Sequence, residues 1–270
     1  MTSSRVKEYY TGQVRKEWRR LIKDAYHRLE LDTSLRFIEK YLPPDSLVLD
    51  AGGGPGRYTL ELAKRGHQVV LFDMTPANLE FARRMTRRYK IQDQVRAIDE
   101  GTITDLSRYP DETFDAVICL GGPLSHILDP GQRAQALREL QRVAKPRAPL
   151  FISVMSRLSV LVVELTLFPE ELAMPHYPLL RNSGDYLGEY GFTACHFFLP
   201  EELRSACLEQ GLQVLEMVGL EGISSNQRVA FNRLARQPAL MATWLETHYQ
   251  TCTHPTIVGI SEHMLVVGKK

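Results

Sequence analysis

Residues 48–57 place an acid directly before a run of closely spaced glycines, a combination that serves ligand binding. The segment reads Val-Leu-Asp-Ala-Gly-Gly-Gly-Pro-Gly-Arg, so an apolar strand ends at Asp50 and continues into a glycine loop. A sequence with helical character follows the loop at once. In an open α/β sheet, this arrangement holds an adenosine-containing ligand at the carboxyl end of the first strand.

The glycine spacing restricts the identity of that ligand. Gly52, Gly54 and Gly56 form G-x-G-x-G, whereas the dinucleotide fingerprint needs its third glycine where Arg57 stands. No Lys-Ser/Thr pair follows, so the loop also differs from a phosphate-binding P-loop. The carboxylate of Asp50 would repel a pyrophosphate but attract a cation. S-adenosylmethionine (SAM), which carries an ammonium and a sulfonium group, suits such a loop. We expect Asp50, Gly52, Gly54, Gly56 and Arg57 to belong to its binding site.

A second acid, Asp73, ends the next apolar run at residues 67–72. It lies about 20 residues beyond the glycine loop, where a ribose-binding acid belongs. The alternative role is to cap the following helix, but Thr75 and Pro76 already provide an N-cap and a first-turn proline. We therefore expect Asp73 to bind ribose hydroxyls, with Met74 beside it in the cofactor site.

The segment VLDAGGGPGRYTLELAKRGHQVVLFD, residues 48–73, resembles the first two motifs of class I SAM-dependent methyltransferases. Residues 100–106 resemble the family's loop after strand 3, but Thr102 stands where the family usually has an acid that bonds the adenine amino group. A hydroxyl accepts more weakly than an ion, so Thr102 is as well explained by a polar turn. The resemblance implies that Ile103 packs on the adenine.

Residues 113–120 resemble the family's fourth strand, which implies that Leu120 and Gly121 lie beside the methionine moiety. The following loop lacks the Asn/Asp-Pro-Pro-Tyr/Phe signature of enzymes that methylate amino groups of nucleic acids or protein glutamines. His126 is the titratable side chain next to this loop. It is a candidate general base, and the alternative is a histidine that caps or packs on the next helix.

The hydropathy pattern predicts alternating strands and helices, and hence a Rossmann-like, doubly wound α/β sheet. Two helices are expected within residues 13–42, with Asp32 and Thr33 as the cap of the second. The resemblance implies seven strands, the last one antiparallel between strands 5 and 6. We expect a helical cap at residues 1–44 and a methyltransferase domain at 45–270. Insertions interrupt this domain at about 157–198 and 222–255.

The first insertion follows strand 5, at the sheet edge that binds the cofactor, and is rich in aromatic residues. We expect it to form a mobile lid in which Tyr186 and His196 contact substrate; a static oligomer interface is the competing account. In many small-molecule members of the family the N-terminal region folds over the cofactor. That resemblance would bring Tyr10 to the SAM carboxylate.

Composition sets further limits on function. The 270 residues carry a net charge of +1, which gives no general attraction to nucleic acid, although Arg83, Arg87 and Lys90 form one basic stripe.

The start shows no signal-peptide pattern, and the apolar run 158–168 is too short to span a bilayer. The four cysteines are scattered, so we expect no metal site and a cytoplasmic protein with reduced thiols.

These features together predict a SAM-dependent methyltransferase that acts on O, N or S of a small molecule. Two alternatives use the same cofactor: a methyltransferase of RNA or protein, and a SAM-binding subunit without catalytic activity. The sequence leaves the methyl acceptor and the oligomeric state open.

Overall fold

The structure, a computed structural model, describes residues 2–270. Its helices are α1 (Thr2–Thr11), α2 (Val14–Arg20), α3 (Ala25–Tyr41), α4 (Arg57–Lys64), α5 (Pro76–Arg88), α6 (Pro130–Val143), α7 (Arg157–Leu167), α8 (Tyr177–Ser183), α9 (Pro200–Glu209), α10 (Arg228–Leu234), α11 (Pro238–Thr251) and α12 (Pro255–Ile260). Its strands are β1 (Leu47–Ala51), β2 (Gln68–Asp73), β3 (Val95–Glu100), β4 (Ala116–Cys119), β5 (Pro149–Met155), β6 (Asp185–Tyr186), β7 (Cys195–His196), β8 (Gln213–Gly219) and β9 (His263–Lys269).

The main sheet has seven strands in the order β3-β2-β1-β4-β5-β9-β8. The first five are parallel, and β9 runs antiparallel between β5 and β8, with Val266 opposite both Ile152 and Met217. The strand order reverses between β1 and β4, which places a ligand crevice at the carboxyl ends of these strands. This topology confirms the predicted fold class and the position of the last strand.

The inner strands read as nearly continuous apolar runs because helices cover both faces of the sheet. Adjacent residues of one strand point to opposite faces. Accordingly, Leu49 packs with Val117 and Ile152 in one buried cluster, whereas Val48 packs with Ile118 in the other. The two clusters hold the strand ends, and therefore the loops of the crevice, in fixed positions.

The N-terminal region differs from the sequence-based prediction. The helix that was expected to start after Asp32 and Thr33 begins nine residues earlier, at Ala25, and Oδ1 of Asp24 accepts the His27 N–H at 3.0 Å as its cap. Asp32 instead pairs with Arg28 within the helix. Thr33 is buried and hydrogen-bonded elsewhere, so two residues with good capping chemistry occupy the helix interior. Helix α1 was not predicted.

The two segments that were predicted to be insertions are largely helical. The first folds into α7, a 3₁₀ turn at Pro169–Ala173, α8 and the short β6–β7 pair. The second contains α10 and α11, and α12 begins where it ends. Within residues 2–270, no helix combines the length and the apolar character needed to cross a lipid bilayer. The division of the chain at residue 44 remains a prediction.

Candidate functional site

A cavity of about 380 Å³ lies at the carboxyl ends of β1, β2 and β4, beneath α1 and α2. The loops after these strands form its floor and sides, and residues of the N-terminal helices form the opposite wall. It is lined by Val6, Tyr10, Glu17, Arg20, Leu21, residues 52–55, Arg57, Tyr58, residues 73–75, Asn78, residues 101–104, Leu120, Gly121, Pro123, residues 126–129 and Gln132. The crevice that the topology predicts is therefore a partly open cavity between the strand ends and the N-terminal helices.

The glycine loop forms part of the cavity wall with its backbone. A Cβ atom on Gly52, whose φ is +75°, would lie 2.5 Å from Cγ of Pro123. A Cβ atom on Gly53 would lie 2.4 Å from Cδ1 of Leu71. Side chains are thus excluded, and a ligand meets the bare main chain. Gly56 differs from these two glycines. It is the N-cap residue of α4, with a φ of +88°, and does not line the cavity.

Asp50 lies beneath the glycine loop and outside the cavity lining. Its Oδ2 accepts the N–H and the O–H of Thr59 at 3.1 and 2.6 Å, which ties the end of β1 to α4. Burial raises the pKa of Asp50 to about 7, and its Oδ1 has no partner among the described residues. The expected contact with a cation is thus not direct, because the carboxylate supports the loop from behind.

Asp73 lines the cavity and organises two loops. Its Oδ2 accepts the Gly54 N–H at 2.9 Å, and its Oδ1 accepts the Thr75 N–H at 2.8 Å and the Asn78 amide at 3.3 Å. Thr75 makes no side-chain capping bond, so the expectation that it leaves Asp73 free was wrong. Asn78, which the sequence analysis did not single out, completes this part of the site.

Arg57 also lines the cavity, but its guanidinium is engaged by α2. Its Nη2 and Nε donate to the Trp18 carbonyl at 2.6 and 3.3 Å, and its Cζ lies 3.8 Å from the centre of the Trp18 ring. The side chain therefore fixes α2 against α4. Nε and Nη2 of Arg57 are therefore engaged by α2, and the expected contact of this residue with the cofactor stays a prediction.

Arg20 is a cavity residue that the sequence analysis missed. Its Nη1 and Nη2 donate to the two oxygens of Glu30 at 2.5 and 3.1 Å, and its Nε lies 3.3 Å from Glu17. Nη2 would be 3.2 Å from a Cβ atom on Gly121. A cation therefore borders the loop after β4, where the methionine end of the cofactor was expected. Only the fold brings these positions together, so spacing gave no signal.

Tyr10 and His126 form a hydrogen-bonded pair at the cavity. Nδ1 of His126 lies 3.1 Å from the Ala194 carbonyl, and Nε2 lies 2.7 Å from the Tyr10 hydroxyl. Because a carbonyl only accepts, Nδ1 carries the proton and Nε2 accepts from Tyr10. Burial lowers the pKa of His126 to about 4, and it raises that of Tyr10 far above its usual value. The imidazole is thus neutral at physiological pH.

The first insertion contacts this pair through residues other than those expected. Phe192 packs near Tyr9 and His126, with ring centres 5.5 and 5.7 Å apart, and Ala194 supplies the carbonyl. Tyr186 and His196 do not line the cavity. His196 lies between Asp185 at 2.6 Å and Glu202 at 2.5 Å, and the Tyr186 hydroxyl bonds to the Tyr190 backbone.

The remaining predicted residues, Met74, Thr102, Ile103 and Leu120, all line the cavity. The Thr102 hydroxyl lies 2.9 Å from that of Thr104. Its place at the cavity is compatible with both the adenine contact and the polar turn considered above.

Comparisons with known proteins agree with this geometry. A family model described as "Methyltransferase domain" matches residues 48–147. A ubiquinone biosynthesis O-methyltransferase of Hahella chejuensis is 36% identical over 119 residues, 44% of this chain and 47% of that protein. Its counterpart from Pseudomonas putida is 30% identical over 173 residues, 64% of this chain and 67% of that protein. The chain thus spans about half of the first relative and two thirds of the second.

A solved structure extends the match over most of the chain. The 1,6-didemethyltoxoflavin-N1-methyltransferase of Burkholderia thailandensis, with its namesake compound and S-adenosylhomocysteine (SAH) bound, aligns with a TM-score of 0.61 at 14% identity. The alignment covers 99% of this chain and 88% of that one. The fold, the glycine loop and the relatives together show that the chain belongs to the class I SAM-dependent methyltransferases. SAM is accordingly its cofactor.

Proposed function

We propose that this protein transfers a methyl group from SAM to a small molecule bound beside Tyr10 and His126, with a hydroxyl group as the leading acceptor. The observation that carries the proposal is the cavity of about 380 Å³, which lies within the size range of small-molecule sites. Nitrogen and sulfur acceptors are the alternatives. The names of the two O-methyltransferase relatives favour oxygen.

The lining residues suit SAM from end to end. Asp73 would accept hydrogen bonds from the ribose, Ile103 would pack on the adenine, and the glycine loop would adjoin the sugar and sulfur. Arg20, beside Gly121, would bind the carboxylate of the methionine moiety. When bound, SAM supplies a methyl group on a positively charged sulfur, and the chain's residues orient it and exclude water.

The Tyr10–His126 pair gives the site a route for the acceptor's proton. Nε2 of His126 is a hydrogen-bond acceptor whose donor, the Tyr10 hydroxyl, lies in the same cavity. An acceptor hydroxyl could take the place of Tyr10 on Nε2; as its oxygen bonds the methyl group and the bond to sulfur breaks to release SAH, its proton would pass to His126. The low pKa of His126 keeps the imidazole neutral, so that it does not repel a cationic ligand.

A polymer substrate is less well supported than a small molecule. RNA would call for cationic side chains around the cavity, but Arg20 is bound by Glu30 and Arg57 by the Trp18 carbonyl. Arg83 and Arg87 border a separate, shallow depression beside β3. We also propose a cytoplasmic location, because Cys119, Cys195, Cys207 and Cys252 are free and buried, as suits a reducing compartment.

Methyl-labelled SAM tests the proposal. The protein is incubated with catechols and other phenols, primary amines, thiols, total RNA and a protein extract, and the label is then followed by size fraction. We expect the label in the small-molecule fraction, and first in the phenols. Label that appears only in RNA or protein would contradict the proposal, as would slow hydrolysis of SAM with no acceptor in any fraction.

A further inference from the structure

A chain of buried charges leads from Arg20 to the start of β9. The Glu30 carboxylate, 2% exposed as a residue, is bonded to Arg20, and its Oε2 lies 3.7 Å from Nδ1 of His263. The same nitrogen lies 2.8 Å from Oε1 of Glu221. Four side chains from α2, α3, β9 and the segment after β8 therefore form one network behind the cavity wall.

The charges in this network alternate in sign. Burial alone would lower the pKa of His263, but the carboxylates of Glu30 and Glu221 outweigh it and raise the pKa to about 9. Burial would likewise raise the pKa of Glu30, but the Arg20 and His263 charges lower it. Each ion thus compensates its neighbour. Removal of one member leaves another buried and unpaired, which is costly.

The far end of the network is anchored to the backbone. Oε2 of Glu221 accepts the Ser261 hydroxyl at 3.0 Å and the His263 N–H at 2.9 Å. The Ser261 oxygen in turn accepts the Glu221 N–H at 3.0 Å. Because main-chain groups fix Glu221, they also fix His263, and the Glu30 carboxylate keeps one orientation toward Arg20.

The consequence for Arg20 follows from its five N–H groups. Glu30 takes one N–H of Nη1 and one of Nη2, and Nε faces Glu17. One N–H on each terminal nitrogen is left, on a guanidinium whose plane is held by a bidentate partner. We propose that Glu30, His263 and Glu221 are positioning residues that orient Arg20 toward the carboxylate of the cofactor.

A divalent cation is the competing occupant of the network. Ligand atoms of Glu30, Glu221 and His263 lie within 4.8 Å of one another, which is close enough for an ion to bridge them. The guanidinium of Arg20 already neutralises Glu30, however, and Nδ1 of His263 already bonds Glu221. The positioning role accounts for all of these contacts without an ion.

Two ligands that differ in the methionine portion separate positioning from general stability. SAH carries the carboxylate, whereas 5′-methylthioadenosine shares the adenosine and the sulfur but lacks that carboxylate. The inference rests on the proposed orientation of the cofactor, so both ligands are titrated calorimetrically into the wild-type protein and into Arg20→Met, Glu30→Gln and His263→Gln. Arg228→Gln is the matched control, since its ion pair is with Asp24, the N-cap of α3, and not with a member of the network.

We expect Glu30→Gln to weaken SAH binding about 10-fold and Arg20→Met up to about 100-fold, in line with the loss of charge-assisted hydrogen bonds. His263→Gln should follow Glu30→Gln. Affinity for 5′-methylthioadenosine should stay within about 3-fold in all variants. If Glu30→Gln binds neither ligand, Glu30→Asp, which retains the charge, should restore 5′-methylthioadenosine binding and part of the SAH affinity.

Three results would overturn the inference. The first is an equal loss of both ligands in Glu30→Asp and His263→Gln, which would indicate a structural role only. The second is wild-type SAH affinity in Glu30→Gln. The third is SAH affinity that disappears with EDTA and returns with Mg²⁺ or Mn²⁺. By contrast, if Asp73→Asn leaves both affinities intact, the proposed cofactor orientation itself fails.

Discussion

The hydroxyl of Tyr10 donates a hydrogen bond to Nε2 of His126 across 2.7 Å, although the two residues are 116 positions apart. This bond joins α1 to the loop after β4 and closes the cavity on the side of the proposed acceptor. The other ring nitrogen, Nδ1, donates a hydrogen bond to the Ala194 carbonyl. Three separate parts of the chain thus meet at one neutral histidine.

The pair predicts that Tyr10→Phe and His126→Gln impair turnover more than cofactor binding. General acid–base groups typically contribute about 10²- to 10⁴-fold in rate. We expect the kcat of His126→Gln to fall into that range and that of Tyr10→Phe to fall less, with SAH affinity nearly unchanged in both. The measurements are steady-state kinetics with the best phenol and SAH calorimetry. Tyr10→Phe that loses SAH affinity but keeps kcat would restore the sequence-based assignment of Tyr10 to the SAM carboxylate.

His263 makes stability depend on pH in the alkaline range. Its folded-state pKa of about 9 exceeds the ordinary value of 6.5, so the folded state binds the proton more tightly. The stabilisation is complete below about pH 6.5 and disappears as the pH rises through 9, with an upper value of about 3 kcal/mol. Urea unfolding at pH 6, 8 and 10 should show this loss in the wild type and a smaller one in His263→Gln. Parallel losses in both proteins would assign the effect to other groups.

Asp73→Asn should weaken SAH binding by roughly 10- to 150-fold, because it replaces an ionised acceptor of the ribose hydroxyls. The carboxylate also accepts the Gly54 and Thr75 N–H groups, so the melting temperature should decrease as well. Asp105→Asn, at an exposed turn, is the control for loss of an acid. Wild-type SAH affinity in Asp73→Asn would mean that the ribose is bound elsewhere.

Residues 157–198 should behave as a lid at their Phe192–Ala194 end. We expect amides 187–196 to gain hydrogen-exchange protection when SAH and an acceptor bind, and Phe192→Ala to reduce turnover. The competing interface has support of its own, since Leu158, Val162 and Leu165 on α7 are exposed. If protection of the segment depends on protein concentration and not on ligand, the lid hypothesis is wrong.

The core of the fold could be predicted from the sequence because local patterns determine it. Apolar runs buried on both faces marked β1, β2, β4 and β5 to within about two residues, whereas the edge strand β3 is only partly buried. The glycine loop marked the sheet edge that binds ligand. At α3, in contrast, Asp24 and Asp32 have the same capping chemistry. Tertiary contacts decide between them, as at Thr33, which bonds to His248.

Site residues at the ends of the parallel strands were more predictable than those that the N-terminal helices and β9 contribute. The family resemblance indicates positions at or just after strand ends, namely Asp73, Ile103 and Leu120. All three residues line the cavity. Arg20 and Glu30 belong to helices that carry no motif, and His263 joins them only through the order of the sheet. Such long-range charge pairs leave no periodic or spacing signal in a single sequence.

The central claim, that the cavity is a SAM site, is tested most directly by calorimetric titration with SAH and with NAD. The G-x-G-x-G loop, with Arg57 at the third dinucleotide position and bound to the Trp18 carbonyl, predicts saturable binding of one SAH per chain and no measurable binding of NAD. Binding of NAD that is tighter than that of SAH would contradict the account.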